Sequence, residues 1–422
     1  MDATYHPCTL LYSRMTNLMT ASREEKSATS TFPAILIVTL CALISILCVG
    51  IPLYVIRPFR PQGQHELAFA LATRQAGPWL AAACAVVALI VALLFWSQIT
   101  RLFARLGLVL ALLLALAGAA LTHVNIFEHM FHPYDTPAFD SPSASKIEPD
   151  DMVMAIQING ESRAYPIRTM GYHHIVNDTV GGLPIAATYC TLCHTGLVWS
   201  RVVDGKTLYF RLAGINNGNA LMRDEQTSTI WQQTTGRAIF GPLKGHELDQ
   251  LHSDELTFAL WKKEQPHGTV LRPDAAYAGL YESKQWEQHI ARYGSVIDTS
   301  GTGIRPRELM IGISTPEASK AFPYQLLLNE KLIQDRVGSD HVLLIVGPDN
   351  VSARAFLATS TFIRQPHNDV LMTDTETRTQ WNLQGCAISG PLSGHCLTPT
   401  EATKDYWFDW LNYHRATSVY KN

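Results

Sequence analysis

The chain of 422 residues is 47% hydrophobic but only 16% charged, against roughly 25% charged residues in soluble globular domains, which excludes one ordinary soluble protein. Lys+Arg 33 against Asp+Glu 36 gives a formal net charge of -3, so no basic excess exists to neutralise a phosphate backbone, and no nucleic acid partner is expected. Eight cysteines are too few for a disulfide-built scaffold, so their placement carries the information.

The missing charge belongs to the N-terminal part. No Asp, Glu, Lys or Arg occurs from Ser27 to Ile56, from Gln75 to Thr100 or from Leu106 to Phe127, and about 20 apolar residues suffice for a helix to cross the hydrocarbon core. Trp79 and Trp96 lie near the ends of the second stretch, where amphipathic rings favour the interface. A polar tail ahead of the first span fits an uncleaved anchor better than a signal peptide. Arg14, Arg23 and Lys26 precede span one, and Arg101 and Arg105 fall in a turn between spans two and three. The positive-inside rule places both segments in the cytoplasm, and Arg57, Arg60 and Arg74 weaken that bias without reversing it. An odd number of spans then exports everything after about His123.

Cys41, Cys48 and Cys84 fall inside the spans and read as small buried hydrophobes, and Cys8 falls in the tail. Cys190, Cys193, Cys386 and Cys396 would face a compartment where disulfides persist. His123, His129 and His132, with Glu128 and Met130, follow the third span. Polar residues ending a helix at the interface account for them better than metal capture does.

From about Asp150 the texture turns to short alternating runs: Met152 to Ile158, Ile185 to Tyr189, Leu197 to Val203 and Leu208 to Leu212. Asn159-Gly160 and Asp204-Gly205 are hairpin turn signals between such runs. A helical pattern from about Glu255 to Glu264 carries Leu256, Leu260 and Trp261 on one face.

The exported part also repeats itself. Met154 to Pro166 aligns with Ile311 to Pro323, and Val176-Asn177-Asp178 with Ile333-Gln334-Asp335. Further on, Met222 and Asp224 match Met372 and Asp374, Trp231 matches Trp381, and Gly241 to His246 matches Gly390 to His395. Two strand-rich halves with pseudo-twofold symmetry are expected. Positions shared by both copies, among them Met222, Trp231 and His246, read as packing or turn residues. Cys386 and Cys396 lie symmetrically about Pro391, where a hairpin would bring them opposite one another, and their counterparts are Arg237 and Glu247. A structural disulfide in one copy and a salt bridge in the other are expected.

Reactive residues present in one copy only are better functional candidates. His173, His174, Cys190 and Cys193 stand opposite Glu330, Lys331, Gly347 and Asn350. A C-x-x-C pair can close a small disulfide ring or chelate a soft metal such as copper or zinc, and His173, His174 and His194 would tune the thiols or share the ion. Cys190 to His194 also matches the C-x-x-C-H pattern of covalent haem attachment. A thioredoxin fold is not expected, because a strand rather than a helix follows the motif. A plain structural disulfide with surface histidines is the bland alternative. Asn177 and Asp178 read as turn-ordering residues, with a catalytic role for Asp178 the lesser option.

The segments YHHIVNDTVGGLPIAATYCTLCHTGLVW, VDGKTLYFRLAGINNGNALMRD and STIWQQTTGRAIFGPLKGHEL resemble the bacterial domain-of-unknown-function 3179 family, from about Lys146 to the C-terminus. Membrane-anchored members of that family carry spans ahead of the domain, as this chain does. The resemblance matches Tyr189, Cys190 and Cys193 to the family's Y-C-x-x-C segment, and His173, Asn177 and Asp178 to the elements before it. His194 departs from many relatives, which weakens the haem reading. The resemblance implies no assigned activity.

The expected organisation is a cytoplasmic tail over 1–31, three transmembrane helices over 32–127 and a linker over 128–149. A first strand-rich repeat over 150–273, a linker over 274–306 and a second, degenerate repeat over 307–422 follow. The expected fold class is thus a three-helix membrane region plus a mainly β (α+β) extracytoplasmic domain, anchored in the bacterial inner membrane. Thiol redox or metal chemistry at Cys190 and Cys193 is one functional reading. A binding or scaffold module docking another membrane or periplasmic protein is the other.

Overall fold

The computed structural model describes residues 8–367 and 370–421, and these divide into two compact units. The first unit is helical: α1 (Cys8–Val55), α2 (Gln64–Phe95) and α3 (Leu102–Leu121). Three helical stretches, Thr31–Val55 with 25 residues, Gln64–Phe95 with 32 and Leu102–Leu121 with 20, are long and apolar enough to cross a membrane. Their packing uses small side chains: Cys41, Ala42, Cys84, Ala88, Ala92 and Ala115 are buried together, and such residues let helix backbones approach closely. Cys48 is also buried, and the Cys8 side chain lies outside the described residues.

The helix ends differ from those read in the sequence. α2 begins at Gln64, ahead of the uncharged stretch that starts at Gln75, and Arg105 sits in the first turn of α3 rather than in a connecting turn. Charged residues are tolerated at the ends of an apolar helix, so an uncharged stretch need not coincide with the helix limits.

In the second unit, turn chemistry places the strands. Asn159-Gly160 (φ 48° and 83°) and Asp204-Gly205 (φ 50° and 73°) take up left-handed conformations, which a two-residue hairpin of the favoured hand requires. Met152–Ile158 accordingly pairs with Glu161–Pro166, and Val202–Val203 with Lys206–Thr207. The run Leu197 to Val203 divides at Arg201, whose carbonyl accepts from Leu208 N, and the strand expected from Leu208 runs instead over Phe210–Asn216. The helix expected from Glu255 starts at Phe258. Asp254–Thr257 is pulled into a sheet against Met152–Ala155, and the Thr257 hydroxyl accepts from Leu260 N as the helix N-cap.

Three sheets come first. One contains, in order, Phe139–Asp140, Thr269–Leu271, Glu161–Pro166, Met152–Ile158 and Asp254–Thr257. A second runs Gln250–Leu251, Thr195–Ser200, Leu183–Cys190, Ile175–Val180, and a third Ala238–Phe240, Ile230–Gln232, Asn219–Asp224, Phe210–Asn216. Three later sheets follow. They run Ala402–Tyr406, Leu309–Ser314, Ser319–Pro323, Ser418–Val419; then Leu332–Val337, Asp340–Val346, Ala353–Leu357, Thr398–Pro399; then Phe362–His367, Val370–Asp374, Gln380–Trp381, Ala387–Ser389. Met222 pairs with Trp231 and Met372 with Trp381. The indole N–H of each Trp donates to an aspartate, Asp224 at 2.9 Å and Asp374 at 3.2 Å. Arg237 and Glu247 form an ion pair across an isolated bridge, and Cys386 and Cys396 are joined across another, with Cα atoms 4.0 Å apart.

The early and late sheets share their cores. Leu256, Phe258, Leu260 and Trp261 pack with Leu343, Ile345, Trp381 and Leu383, while Tyr406 and Phe408 pack with Cys190, Cys193, Leu197 and Trp231. Arg354 reaches back to Asp254 and Glu264, each at 2.8 Å. Gly312 marks a tight approach, because a Cβ there would come within 2.2 Å of the Trp410 ring. Gly312→Ala is therefore expected to lose about 1–3 kcal/mol or more in denaturant unfolding of the purified chain, and an unchanged midpoint would contradict this packing.

Candidate functional site

The two cysteines occupy a hairpin connection. Cys190 ends the strand Leu183–Cys190, Thr191 to His194 make the turn, and Thr195 opens the return strand, paired with Cys190. Both thiols are enclosed, with Cys190 3% and Cys193 0% exposed. A second hairpin, turning at Asn217-Gly218 (φ 50° and 96°), lies over them. Its Gly218 carbonyl is 3.7 Å from Cys190 Sγ, and a Cβ at Gly218 would come within 2.9 Å of Phe408. Only glycine suits both the left-handed turn and this close approach.

Asn219, the residue after that turn, is the organising amide. Its Nδ2 lies 3.1 Å from Cys193 Sγ, 3.1 Å from Gln233 Oε1 and 3.3 Å from Asp409 Oδ2, so two N–H groups serve three acceptors. Gln233 donates to Thr188 Oγ1 and to the Thr195 carbonyl, each at 3.1 Å. Trp199 Nε1 donates to the Gln233 carbonyl at 3.0 Å.

The far wall comes from the C-terminal end of the chain. Tyr406 N donates to the Cys193 carbonyl at 2.9 Å. This bond seats the strand Ala402–Tyr406 and the helix Trp407–Tyr413 against the cysteine turn. Two buried carboxyl groups arrive with them. Thr195 Oγ1 lies 2.9 Å from Asp405 Oδ1 and 3.4 Å from Asp409 Oδ2. Arg307 donates to the Leu192 carbonyl at 2.5 Å and stacks over Tyr406 and Phe408. The Tyr406 and Tyr413 hydroxyls and Asp409 Oδ1 are buried without a hydrogen-bond partner.

This environment separates the two thiols. A hydrogen bond from Cys193 pulls the Cys190 thiol below its ordinary range in spite of burial, while burial and the bond to Cys190 push Cys193 well up. Burial, then the charge of Asp409, pushes Asp405 well above the usual carboxylate range. Burial pushes Asp409 up to about 7, against the bonds from Asn219 and Thr195 that favour its charged form. Two carboxyls this enclosed hold at least one proton between them near neutral pH.

The histidines read as neighbours of the thiols are used elsewhere. His173 donates from Nδ1 to the His132 carbonyl at 2.6 Å, and its Nε2 lies 3.1 Å from the Tyr281 hydroxyl. His174 donates from Nδ1 to the Tyr189 carbonyl at 2.9 Å, and burial lowers its pKa to about 4, so the ring is neutral. His194 is buried between the Tyr189 hydroxyl at 3.2 Å and Glu287 Oε1 at 2.8 Å. Burial alone would raise the Glu287 carboxyl, but the bond and charge of His194 together with the charge of Lys404 bring it down to about 2.

These bonds turn the three rings toward partners other than the sulfurs. Among the described residues no group of three or more His, Cys, Asp or Glu side chains is arranged to hold a metal ion, and zinc sites use three or four such ligands. Both nitrogens of His194 are bonded, so an axial-ligand role for haem would require breaking its bond to Tyr189 or to Glu287. In the second histidine group, His132 is bonded to Tyr172 at 2.8 Å and stacked on Tyr277, and Glu128 accepts from Asn125.

Asp178 accepts from the Tyr165 hydroxyl and from Thr179 N, each at 2.7 Å, with Arg163 at 3.4 Å. Asn177 exchanges two 2.9 Å bonds with the Phe210 backbone, tying neighbouring sheets together. His246 bonds the Leu243 carbonyl within its own turn. Asn219, Asp405, Asp409 and Arg307 were not singled out from sequence. The expected repeat carries a signal for the carboxylates, because the offset that sets His395 against His246 sets Asp405 and Asp409 against Leu256 and Leu260.

Asn219→Ala leaves buried acceptors on Cys193, Gln233 and Asp409 without their donor. It is expected to cost about 1–3 kcal/mol in urea unfolding, and to raise the pH at which Cys193 is alkylated in the native chain.

A family profile described as protein of unknown function, DUF3179, matches residues 131–417. No curated protein and no solved structure matches the chain.

Proposed function

The chain belongs to the DUF3179 family, and on that premise we propose that it is a membrane-anchored thiol redox protein whose Cys190 and Cys193 cycle between dithiol and disulfide outside the cytoplasm. One observation carries this reading. Cys190 and Cys193 are buried together with Asp405 and Asp409, Cys193 and Asp409 meet on one amide nitrogen of Asn219, and these surroundings hold the two thiols at unequal acidity. Disulfide exchange needs that combination: one sulfur ready as thiolate, a second to resolve, and somewhere for a proton to go.

The exported location is supported by the three apolar helices and by Arg14, Arg23, Lys26, Arg101 and Arg105 beside the segments read as cytoplasmic. The joined Cys386 and Cys396 suit the same compartment.

The functional weight of the site rests further on the reading of the domain as two copies of one unit. By strand register, Thr188, Cys190 and Gln233 correspond to Ile345, Gly347 and Leu383, and Asp405 to Leu256. Asp409, the third residue of its helix, corresponds to Leu260. Leu256, Leu260, Ile345 and Leu383 lie together in an apolar core. The same backbone positions are thus filled once with Ile345, Leu383, Leu256 and Leu260 and once with Thr188, Gln233, Asp405 and Asp409, while Gly347 and Asn350 stand where the cysteines do. Packing alone explains the first and gives no reason for the second.

Redox titration of the purified full-length chain against a thiol buffer, read by mass spectrometry of alkylated Cys190 and Cys193, tests the proposal. A reversible couple with a potential above about -300 mV is expected, and a lower one marks a structural bond. Metal analysis of the same sample decides the neighbouring reading. About one copper or zinc per chain, lost in Cys190→Ser, would replace redox by metal binding.

A further inference from the structure

We propose that the Asp405–Asp409 carboxyl pair accepts the proton of the Cys193 thiol when the Cys190–Cys193 disulfide forms, so that the thiols and the proton acceptor of one site come from opposite ends of the domain. The inference deepens the redox reading and rests on it.

Geometry supports the assignment first. Cys193 Sγ and Asp409 Oδ2 are two acceptors on the same amide nitrogen, Asn219 Nδ2, at 3.1 and 3.3 Å. Asp409 Oδ1 is buried with no hydrogen-bond partner and therefore has an open position for a proton. Thr195 Oγ1 bridges the two carboxyls, so charge arising on one is shared with the other. The same register that sets Asp405 and Asp409 against Leu256 and Leu260 means that the backbone accepts apolar side chains there. Two carboxyls buried without a cation bonded to them are costly, and such groups concentrate where a proton is moved.

The groups facing the pair are few. Cys190 and Cys193 face it from the hairpin turn, Arg307 from the loop before Leu309, and Tyr413 from the pair's own helix. Arg307 is a cation whose charge favours ionised Asp409, and it is held at the Leu192 carbonyl. It offsets part of the negative charge without neutralising the pair outright.

In the step itself, Cys190 thiolate attacks a partner disulfide R–S–S–R′, forming the Cys190–S–S–R bond and releasing R′–S⁻. Cys193 then loses its proton to the carboxyl pair, and its sulfur attacks Cys190 Sγ. The Cys190–Cys193 bond forms, the bond to R breaks, and R–S⁻ leaves. The protein dithiol is oxidised by two electrons, the partner disulfide is reduced, and the proton rests on the carboxyl pair until solvent takes it.

The full-length chain in detergent, fully reduced and mixed with oxidised glutathione, provides the test. The rate of Cys190–Cys193 disulfide formation is measured against pH. An acceptor must be ionised before it can take a proton, so the wild-type rate is expected to rise with pH through an inflection near neutrality. In Asp409→Asn the inflection moves up into the thiol range, and the rate at neutral pH falls about tenfold or more. Asp409→Glu restores it. A structural role for Asp409 would lower the rate equally at all pH values. In case the Asn variant does not fold, infrared difference spectra of oxidised minus reduced wild-type chain must show a change in the protonated-carboxyl stretch. Cycling cysteines with a pH profile indifferent to Asp409→Asn, or with no carboxyl change, overturn the proton assignment and leave the redox reading standing. Cysteines that do not cycle overturn both.

Discussion

The site depends on one backbone contact, the bond from Tyr406 N to the Cys193 carbonyl. A C-x-x-C at the tip of a hairpin would ordinarily be wet, and its thiols would differ little. Docking of Ala402–Tyr406 and Trp407–Tyr413 onto that tip removes water from both sulfurs and sets Asp405 and Asp409 beside them. Desolvation then does what sequence neighbours do not. It raises the carboxyls and Cys193 and leaves Cys190 as the sulfur that its partner's hydrogen bond can hold as a thiolate.

Such a cluster persists in a core only because its polar atoms are nearly all connected. Asn219, Gln233, Thr188 and Thr195 bind one another and the backbone, and Trp199 closes the network from outside. A half-satisfied network would be worse than apolar packing. The atoms left unpaired, on Tyr406, Asp409 and Tyr413, gather on the C-terminal segment beside the thiols. The charged contacts elsewhere between early and late sheets are, by contrast, closed: Arg354 meets two carboxylates and Lys404 meets Glu255.

What was legible in the chain beforehand was local. Uncharged runs marked the apolar helices, and Asn-Gly and Asp-Gly marked turns, because each depends on a residue's own chemistry and that of its nearest neighbours. Strand and helix limits near Arg201 and Glu255 were misread because sheet pairing, a long-range event, overrode the local pattern. The bonding of the histidines was not legible for a related reason. His173, His174 and His194 are close to Cys190 in sequence, yet a buried imidazole goes where a carbonyl, a hydroxyl or a carboxylate can satisfy it, and those partners lie on His132, Tyr189, Tyr281 and Glu287.

By itself the sequence determined that the chain has three stretches fit for a membrane, a strand-rich remainder and a paired thiol at Cys190 and Cys193. Periodicity, turn residues and spacing decide those things over a few residues at a time. Only the tertiary structure decided that both thiols are buried, that they differ in acidity and that Asp405 and Asp409 are their companions. Those properties come from which segment excludes water from which. Residues more than two hundred positions apart meet here because burying Tyr406 and Phe408 against Cys193 and Trp231 removes apolar surface from water, and no local pattern encodes that meeting.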